Sequence, residues 1–166
     1  MNNILLSPHF RLDEFTKSPT ACKHGIANVP PAEAVDNLKR LCAGTLEPLR
    51  EALGMPVVIT SGFRTKALNG LLAHSSERSQ HMQGQAADFY VGEGQSSLSR
   101  RELLIKAFRL IITSEQIDYD QLILYPSFIH VSYVSRERNR RTILLGMRNG
   151  KLGYGKCSVQ NALKIE

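Results

Sequence analysis

Gln121-Leu122-Ile123-Leu124-Tyr125-Pro126-Ser127-Phe128-Ile129-His130-Val131-Ser132-Tyr133 holds two β-rich runs on either side of Pro126-Ser127. Branched and aromatic side chains suit a pleated, half-buried surface, and a Pro-Ser pair between two such runs is hairpin chemistry. Thr142 to Leu145 offers a further strand. Strands that follow one another with no helix between them favour an α+β fold, with a mainly antiparallel sheet, over a doubly wound parallel one. Helices are then expected to cover one face of that sheet.

Upstream, Val57-Val58-Ile59-Thr60 reads as a short strand ending at Ser61-Gly62, and Ala86-Ala87-Asp88-Phe89-Tyr90-Val91 as another. Val35, Leu38, Cys42, Leu46, Leu49 and Leu53 recur every three or four residues after Asn28-Val29-Pro30-Pro31. That spacing predicts one amphipathic helix, kinked at Pro48 and closed by Gly54. Ser99 with Glu102 makes a capping box for a second long helix, whose apolar face is Leu104, Phe108, Ile111 and Ile112. Thr65 to Leu72 suits a short helix. Ser7 to Asn28 is polar and broken by Pro8, Pro19 and Gly25, so it reads as an irregular strap anchored by Phe10, Leu12 and Phe15.

The 166 residues, 42% hydrophobic and 22% charged, suit one globular domain spanning 1–166 and exclude collagen-like or disordered chains. No apolar run is long enough for a transmembrane helix, and no membrane partner is expected. Ahead of Ile4-Leu5-Leu6 there is no basic n-region, and behind it no cleavage site, so no Sec signal peptide is read. The net charge of +6 favours anionic partners. Part of it sits in Arg136, Arg138, Arg140 and Arg141, which reads as a solvated strand end or loop. Nucleic acid is not the expected partner, because no stacking platform or helix-turn-helix pattern accompanies these arginines. Cys22, Cys42 and Cys157 are odd in number and widely spaced, which fits neither a disulfide framework nor a thiolate metal site.

Chemistry concentrates in Ser79-Gln80-His81-Met82-Gln83-Gly84-Gln85-Ala86-Ala87-Asp88. His81 precedes a glycine turn and Asp88 lies on a strand, so a loop and a strand can bring the two side chains to one point. Imidazole and carboxylate both suit zinc, and a catalytic zinc takes three protein ligands. His130, polar within an apolar strand, is the candidate third. The residues alone leave another reading open, in which His130 is a hydrogen-bonded core histidine and Asp88 caps or pairs with Arg64.

Ser79, His81, Gly84, Ala86 and Asp88 match the pattern SxHxxGxAxD of the zinc D-Ala-D-Ala carboxypeptidase family. That family groups with vancomycin-resistance D,D-peptidases, phage L-alanyl-D-glutamate endolysins and the hedgehog fold. Ser61-Gly62-Phe63-Arg64 resembles its SGYR element, and Phe128-Ile129-His130-Val131-Ser132 its WVHVS element. Ser7-Pro8-His9-Phe10 through Glu14-Phe15 is similar to the opening of its short members that lack a signal peptide. The resemblance covers roughly residues 5 to 141 and rests on three ordered motifs.

The resemblance implies His81, Asp88 and His130 as ligands of Zn2+, with Arg64 and Ser79 facing the substrate and Arg64 beside the developing oxyanion. It implies hydrolysis of an amide in peptidoglycan stem peptides or cross-links, by metal-activated water. The absence of a signal peptide leads to the expectation of a cytoplasmic enzyme, or of a phage or mobile-element lysin released by another route. One position departs from the family. Many relatives place a Glu or Asp three residues before the last histidine, and here that residue is Ser127, which cannot serve as a general base. Glu77, Asp118 and Asp120 are the other acids to consider, while Tyr125 can donate a hydrogen bond but is a poor base. The departure keeps a second expectation open, a zinc-holding domain that recognises cell-wall peptide or protein without cutting it.

Overall fold

A computed structural model describes residues 4–73, 75–92, 98–148 and 151–165; His74 lies outside them. The opening segment is more regular than its composition suggests. β1 (Leu5–Ser7) and β2 (Phe10–Arg11) pair antiparallel, and two short helices follow, α1 (Leu12–Thr16) and α2 (Pro19–Lys23). Phe10 and Phe15 are fully buried, so the anchoring is as expected, but it is delivered by a hairpin and two helical turns rather than by an irregular strap.

α3 (Ala32–Leu41) and α4 (Glu47–Leu53) replace the single kinked helix, with a π-helical turn, Cys42–Leu46, between them. Pro48 has no N–H to offer the Gly44 carbonyl. That carbonyl accepts the Asp118 N–H at 3.0 Å, and Thr45 Oγ1 donates to the Asp118 carbonyl at 2.6 Å. The widened turn is thereby tied to the segment leading into the hairpin. Gly54 closes α4 in the left-handed region, as its position implies.

β3 (Val57–Ser61), α5 (Lys66–Leu71), β4 (Ala86–Val91), α6 (Arg100–Thr113), β5 (Gln121–Leu124) and β6 (Ile129–Ser132) fall where the sequence places them. The capping box of Ser99 and Glu102 opens α6. β5 and β6 form the hairpin around Pro126-Ser127. β7 (Thr142–Arg148), β8 (Lys151–Lys156) and α7 (Val159–Ala162) complete the chain. The larger sheet has the order β3-β4-β6-β5-β7-β8 and is antiparallel except between β5 and β7. β4 already occupies the far edge of β6, so the chain leaving β6 must return past the start of β5 and enter β7 alongside it, in parallel.

Alternation along the strands divides the sheet into two faces. Ala87, Phe89 and Val91 of β4, Leu122 and Leu124 of β5, and Ile129 and Val131 of β6 join one core. Leu38 and Leu41 of α3, Leu49 of α4, and Leu104, Phe108 and Ile111 of α6 join the same core. Asp88, Ile123 and His130 take the intervening positions, and they pair across the strands as Asp88↔His130↔Ile123. Burial pushes the Cys42 thiol up to about 12, so it carries no thiolate near neutral pH; Cys22 and Cys157 are also free. No described helix is long and apolar enough to cross a membrane.

Two glycines bring backbones together at the open face. Gly84 has φ +68°, and a Cβ there would lie 2.2 Å from the Ala34 carbonyl oxygen of α3. A Cβ on Gly62 would lie 2.6 Å from Phe15 Cβ and 2.7 Å from its backbone. Gly25 has φ +62° with open space around it, which separates strain from collision. Gly25→Ala is expected to cost about 1 kcal/mol through backbone conformation alone. Gly84→Ala, with a backbone atom in the way, should cost about 2–4 kcal/mol in a thermal melt. Equal losses would show that the contact with α3 does not matter.

Candidate metal centre

The centre begins with strand register. Asp88 and His130 sit directly opposite each other on β4 and β6, where facing side chains are close enough to touch. His130 Nδ1 lies 2.8 Å from Asp88 Oδ1. His81 arrives from the 3-10 turn Gln80–Gln83, which Gly84 ends in the left-handed conformation. The Asn37 side-chain amide of α3 donates to the Gln83 carbonyl at 2.9 Å and fixes the turn from below.

His81 is 3% exposed, and its orientation is set by one bond, from Nδ1 to the Gly62 carbonyl at 2.7 Å. A carbonyl only accepts, so Nδ1 carries the proton and Nε2 presents its lone pair. Nε2 faces His130 Nδ1 at 3.2 Å and Asp88 Oδ1 at 3.4 Å. Burial pushes the His81 ring towards its neutral form, against the pull of Asp88. Burial would raise the Asp88 carboxyl, but the charge and hydrogen bonds of the two imidazoles outweigh it and hold the group well below the usual carboxylate range. The site thus sets a histidine that resists protonation beside an ionised carboxylate.

This donor set fits a divalent ion. Zinc bound tetrahedrally at about 2.0–2.2 Å sets its ligand atoms about 3.3–3.5 Å apart. One of the three separations, 3.4 Å, falls in that range, a second, 3.2 Å, lies just below it, and the hydrogen-bonded 2.8 Å pair would have to open. Two histidines and one carboxylate also form the three-ligand set of catalytic rather than structural zinc. The bond from His81 Nδ1 to a backbone carbonyl is the outer support that metal-binding histidines ordinarily have.

All three side chains line a cleft of about 960 Å³, and Arg64 and Ser79 line it too. Arg64 Nη2 is 3.5 Å from Asp88 Oδ2, and the Arg64 N–H donates to the His81 carbonyl at 3.2 Å. Arg64 therefore both pairs with Asp88 and faces the cleft. Ser79 heads the turn that carries His81, and its carbonyl accepts the Met82 N–H. Asn28 fixes the loop of Arg64 from the N-terminal side. Its amide donates to the carbonyls of Thr16 and Phe63, and its oxygen accepts the Thr65 N–H.

The candidate acids are placed very differently. Ser127 sits exposed in the hairpin loop and does not line the cleft. Glu77 is exposed and does not line it either. Asp118 is buried and held by Arg141 Nε at 3.0 Å and Asn139 Nδ2 at 2.9 Å. Asp120 lines the cleft, but its buried carboxylate accepts from the Arg140 guanidinium, the Arg140 N–H at 2.8 Å and Gln80 Nε2 at 2.9 Å. Arg140 and Arg141 are thus not merely solvated, as their run suggests; each pairs with a carboxylate some twenty residues upstream. The sequence reading missed Gln80, which joins the His81 turn to Asp120, and the stacked pair of Tyr125 and Phe128 at the cleft, 4.3 Å between ring centres.

A family model described as peptidase M15 matches residues 8–132, well over half of the chain. The chain belongs to the peptidase M15 family. No curated protein matches it. The match takes in His81, Asp88, His130, Arg64 and Ser79 and ends with β6, so the arginine-rich segment of this M15 family member lies beyond it.

The Asp120 network has a pH signature. Burial would raise the Asp120 carboxyl, but the bonds and charge of Arg140, with the bond from Gln80, bring it below its ordinary value. A carboxyl depressed on folding stabilises the protein above its unfolded pKa of about 3.9, and that stabilisation is lost as pH falls through the folded value. Asp120→Asn should therefore cost about 2 kcal/mol at pH 6–7 in denaturant unfolding. The gap from the unsubstituted chain should close below about pH 4. A gap independent of pH would mean that the carboxylate charge contributes nothing.

Proposed function

We propose that this M15 family member is a zinc-dependent peptidase that hydrolyses an amide bond in peptidoglycan stem peptides or cross-links. The observation that carries the reading is the convergence of His81 Nε2, Asp88 Oδ1 and His130 Nδ1 at the cleft, with His81 pinned through Nδ1. These three atoms would hold the ion. When bound, zinc supplies Lewis-acid polarisation of a carbonyl and acidification of water.

The chain supplies the rest. Arg64 holds a permanent positive charge 3.5 Å from Asp88, where it can face the oxygen of the scissile carbonyl as charge develops there. Ser79 offers a hydroxyl at the cleft wall to a substrate amide. Gly62 keeps the proton of His81 on Nδ1 throughout. The basic balance of the chain suits an anionic wall polymer. Nucleic acid has no place in this reading, since Asp120 and Asp118 engage two of the clustered arginines.

A second reading, a zinc-holding domain that recognises cell-wall peptide without cutting it, has its own support. Among the described residues the carboxylates lining the cleft are Asp88 and Asp120, and both are engaged. The reading with turnover therefore requires a proton acceptor other than a side chain at position 127.

Elemental mass spectrometry of the purified protein, run beside digestion of muropeptides with and without a chelator, separates the two readings. About one zinc per chain with chelator-sensitive cleavage is expected. Zinc without cleavage favours recognition alone, and absence of zinc removes both readings. His81→Ala, Asp88→Ala and His130→Ala should each lower zinc affinity at least about tenfold. Arg64→Ala should keep the zinc and lower kcat about 100-fold. Full zinc occupancy in the triple variant would end the assignment of the site.

A further inference from the structure

The segment returning the chain from β6 to β7 is held with unusual firmness for a surface loop. Arg140 is bonded to buried Asp120 through both backbone and side chain, and Arg141 Nε donates to buried Asp118. Asn139 accepts the Val134 N–H at 2.8 Å and donates to Asp118. Arg141 has φ +50°, a conformation that a residue with a Cβ adopts only when its surroundings impose it. Arg136 donates to the Glu115 carbonyl at 3.4 Å. Of the four clustered arginines, Arg138 stands apart. It is exposed, it lines the cleft, and among the described residues its side chain has no hydrogen-bond or ion-pair partner.

Arg78, from the segment before the His81 turn, shares these properties. Its backbone N–H is fixed to Ser76 Oγ at 3.1 Å, it lines the same cleft, and no described residue pairs with its side chain. The acidic groups of the cleft do not balance these two cations, because Asp88 is taken by His130 and Arg64, and Asp120 by Arg140 and Gln80. Two guanidiniums from independently fixed segments thus face a peptide-sized cleft with no counter-charge among the described residues. The planar fork of arginine favours a carboxylate over any neutral group.

We infer that Arg78 and Arg138 form an anion subsite that takes a free carboxylate of the peptide in the cleft, either its C-terminus or an acidic side chain, and so select which amide reaches the metal centre. The inference rests on the cleft being a peptide site, as proposed above, and it specifies the charge of that peptide. The ordered Asp118–Asn139–Arg141 and Asp120–Arg140 contacts then have a purpose in the site, since they hold the backbone that presents Arg138.

The test uses the full chain loaded with zinc and synthetic stem peptides of sequence L-Ala-D-Glu-L-Lys-D-Ala-D-Ala. The terminal carboxylate, the glutamyl carboxylate, both or neither are capped as amides. Binding is read by calorimetry, or through KM where the peptide is cut, and products by chromatography. The uncapped peptide should bind about tenfold more tightly than the doubly capped one. The single cap that removes this advantage identifies the carboxylate that is bound. In R78Q/R138Q the advantage should vanish while zinc content and melting temperature stay unchanged. K106Q/K164Q, which removes the same charge away from the cleft, should retain it. Equal binding of capped and uncapped peptides, no binding of any of them, or an advantage that survives R78Q/R138Q overturns the subsite. Charge-dependent binding without products would overturn hydrolysis and uphold the subsite; cleavage indifferent to the caps would do the reverse.

Discussion

The pairing of Asp88 with His130 across β4 and β6 is the constraint on which the centre depends. Side chains alternate strictly along a strand, so a slip of one residue would turn Asp88 and His130 into the core and Phe89 and Ile129 out of it. Phe89 and Ile129 are fully buried, and burying side chains of that size is worth about 1.5–3 kcal/mol each. The apolar face thus fixes the register, and the register brings a carboxylate and an imidazole within 2.8 Å on the other face. The functional contact follows from the same alternation that builds the core.

His81 needs a separate device, because it lies on a turn and no ladder positions it. The solution is close approach of three backbones. Gly62 lets its strand end pack against Phe15, which sets the carbonyl that receives His81 Nδ1–H. Gly84 lets the turn settle on the Ala34 carbonyl of α3. Asn28 and Asn37 then satisfy carbonyls of the same loops. The glycines of two sequence motifs therefore act at the centre indirectly: they fix the distances from which a histidine is aimed.

Much of this was legible in the chain itself, and the limits have physical causes. β3, β4 and the β5–β6 hairpin carry a local signal, period-two alternation bounded by turn residues, and they form where that signal lies. The parallel entry of β7 carries none, because it depends on which strand edges are already occupied. The π-helical turn before Pro48 is equally silent, since its partner at Asp118 is supplied by a distant segment. Ser7 to Asn28 read as irregular because elements of two to five residues are too short to show a period. For the centre, residue types and motif order pointed to His81, Asp88 and His130. The Gly62 carbonyl was invisible because any residue has a carbonyl, and only the fold says which one is aimed.

Asp118, Asp120 and the arginine run show how a local reading of charge misleads in both directions. Taken alone, the aspartates look like spare acids for a reaction, and the arginines like a patch for polyanions. Folding neutralises each set with the other: two buried carboxylates would be costly without counter-charges, and Arg140 and Arg141 supply them through hydrogen-bonded pairs. The pairing withdraws Asp120 from proton transfer although it lines the cleft, and it withdraws two arginines from the surface charge available to a ligand. What remains in the cleft is a charge distribution with ionised Asp88 at the centre, Arg64 against it, and Arg78 and Arg138 without a partner among the described residues. Among the described residues of the cleft, no carboxylate is left unengaged to take a proton. In the function proposed for this M15 family member, turnover and recognition therefore draw on different residues of the same cleft.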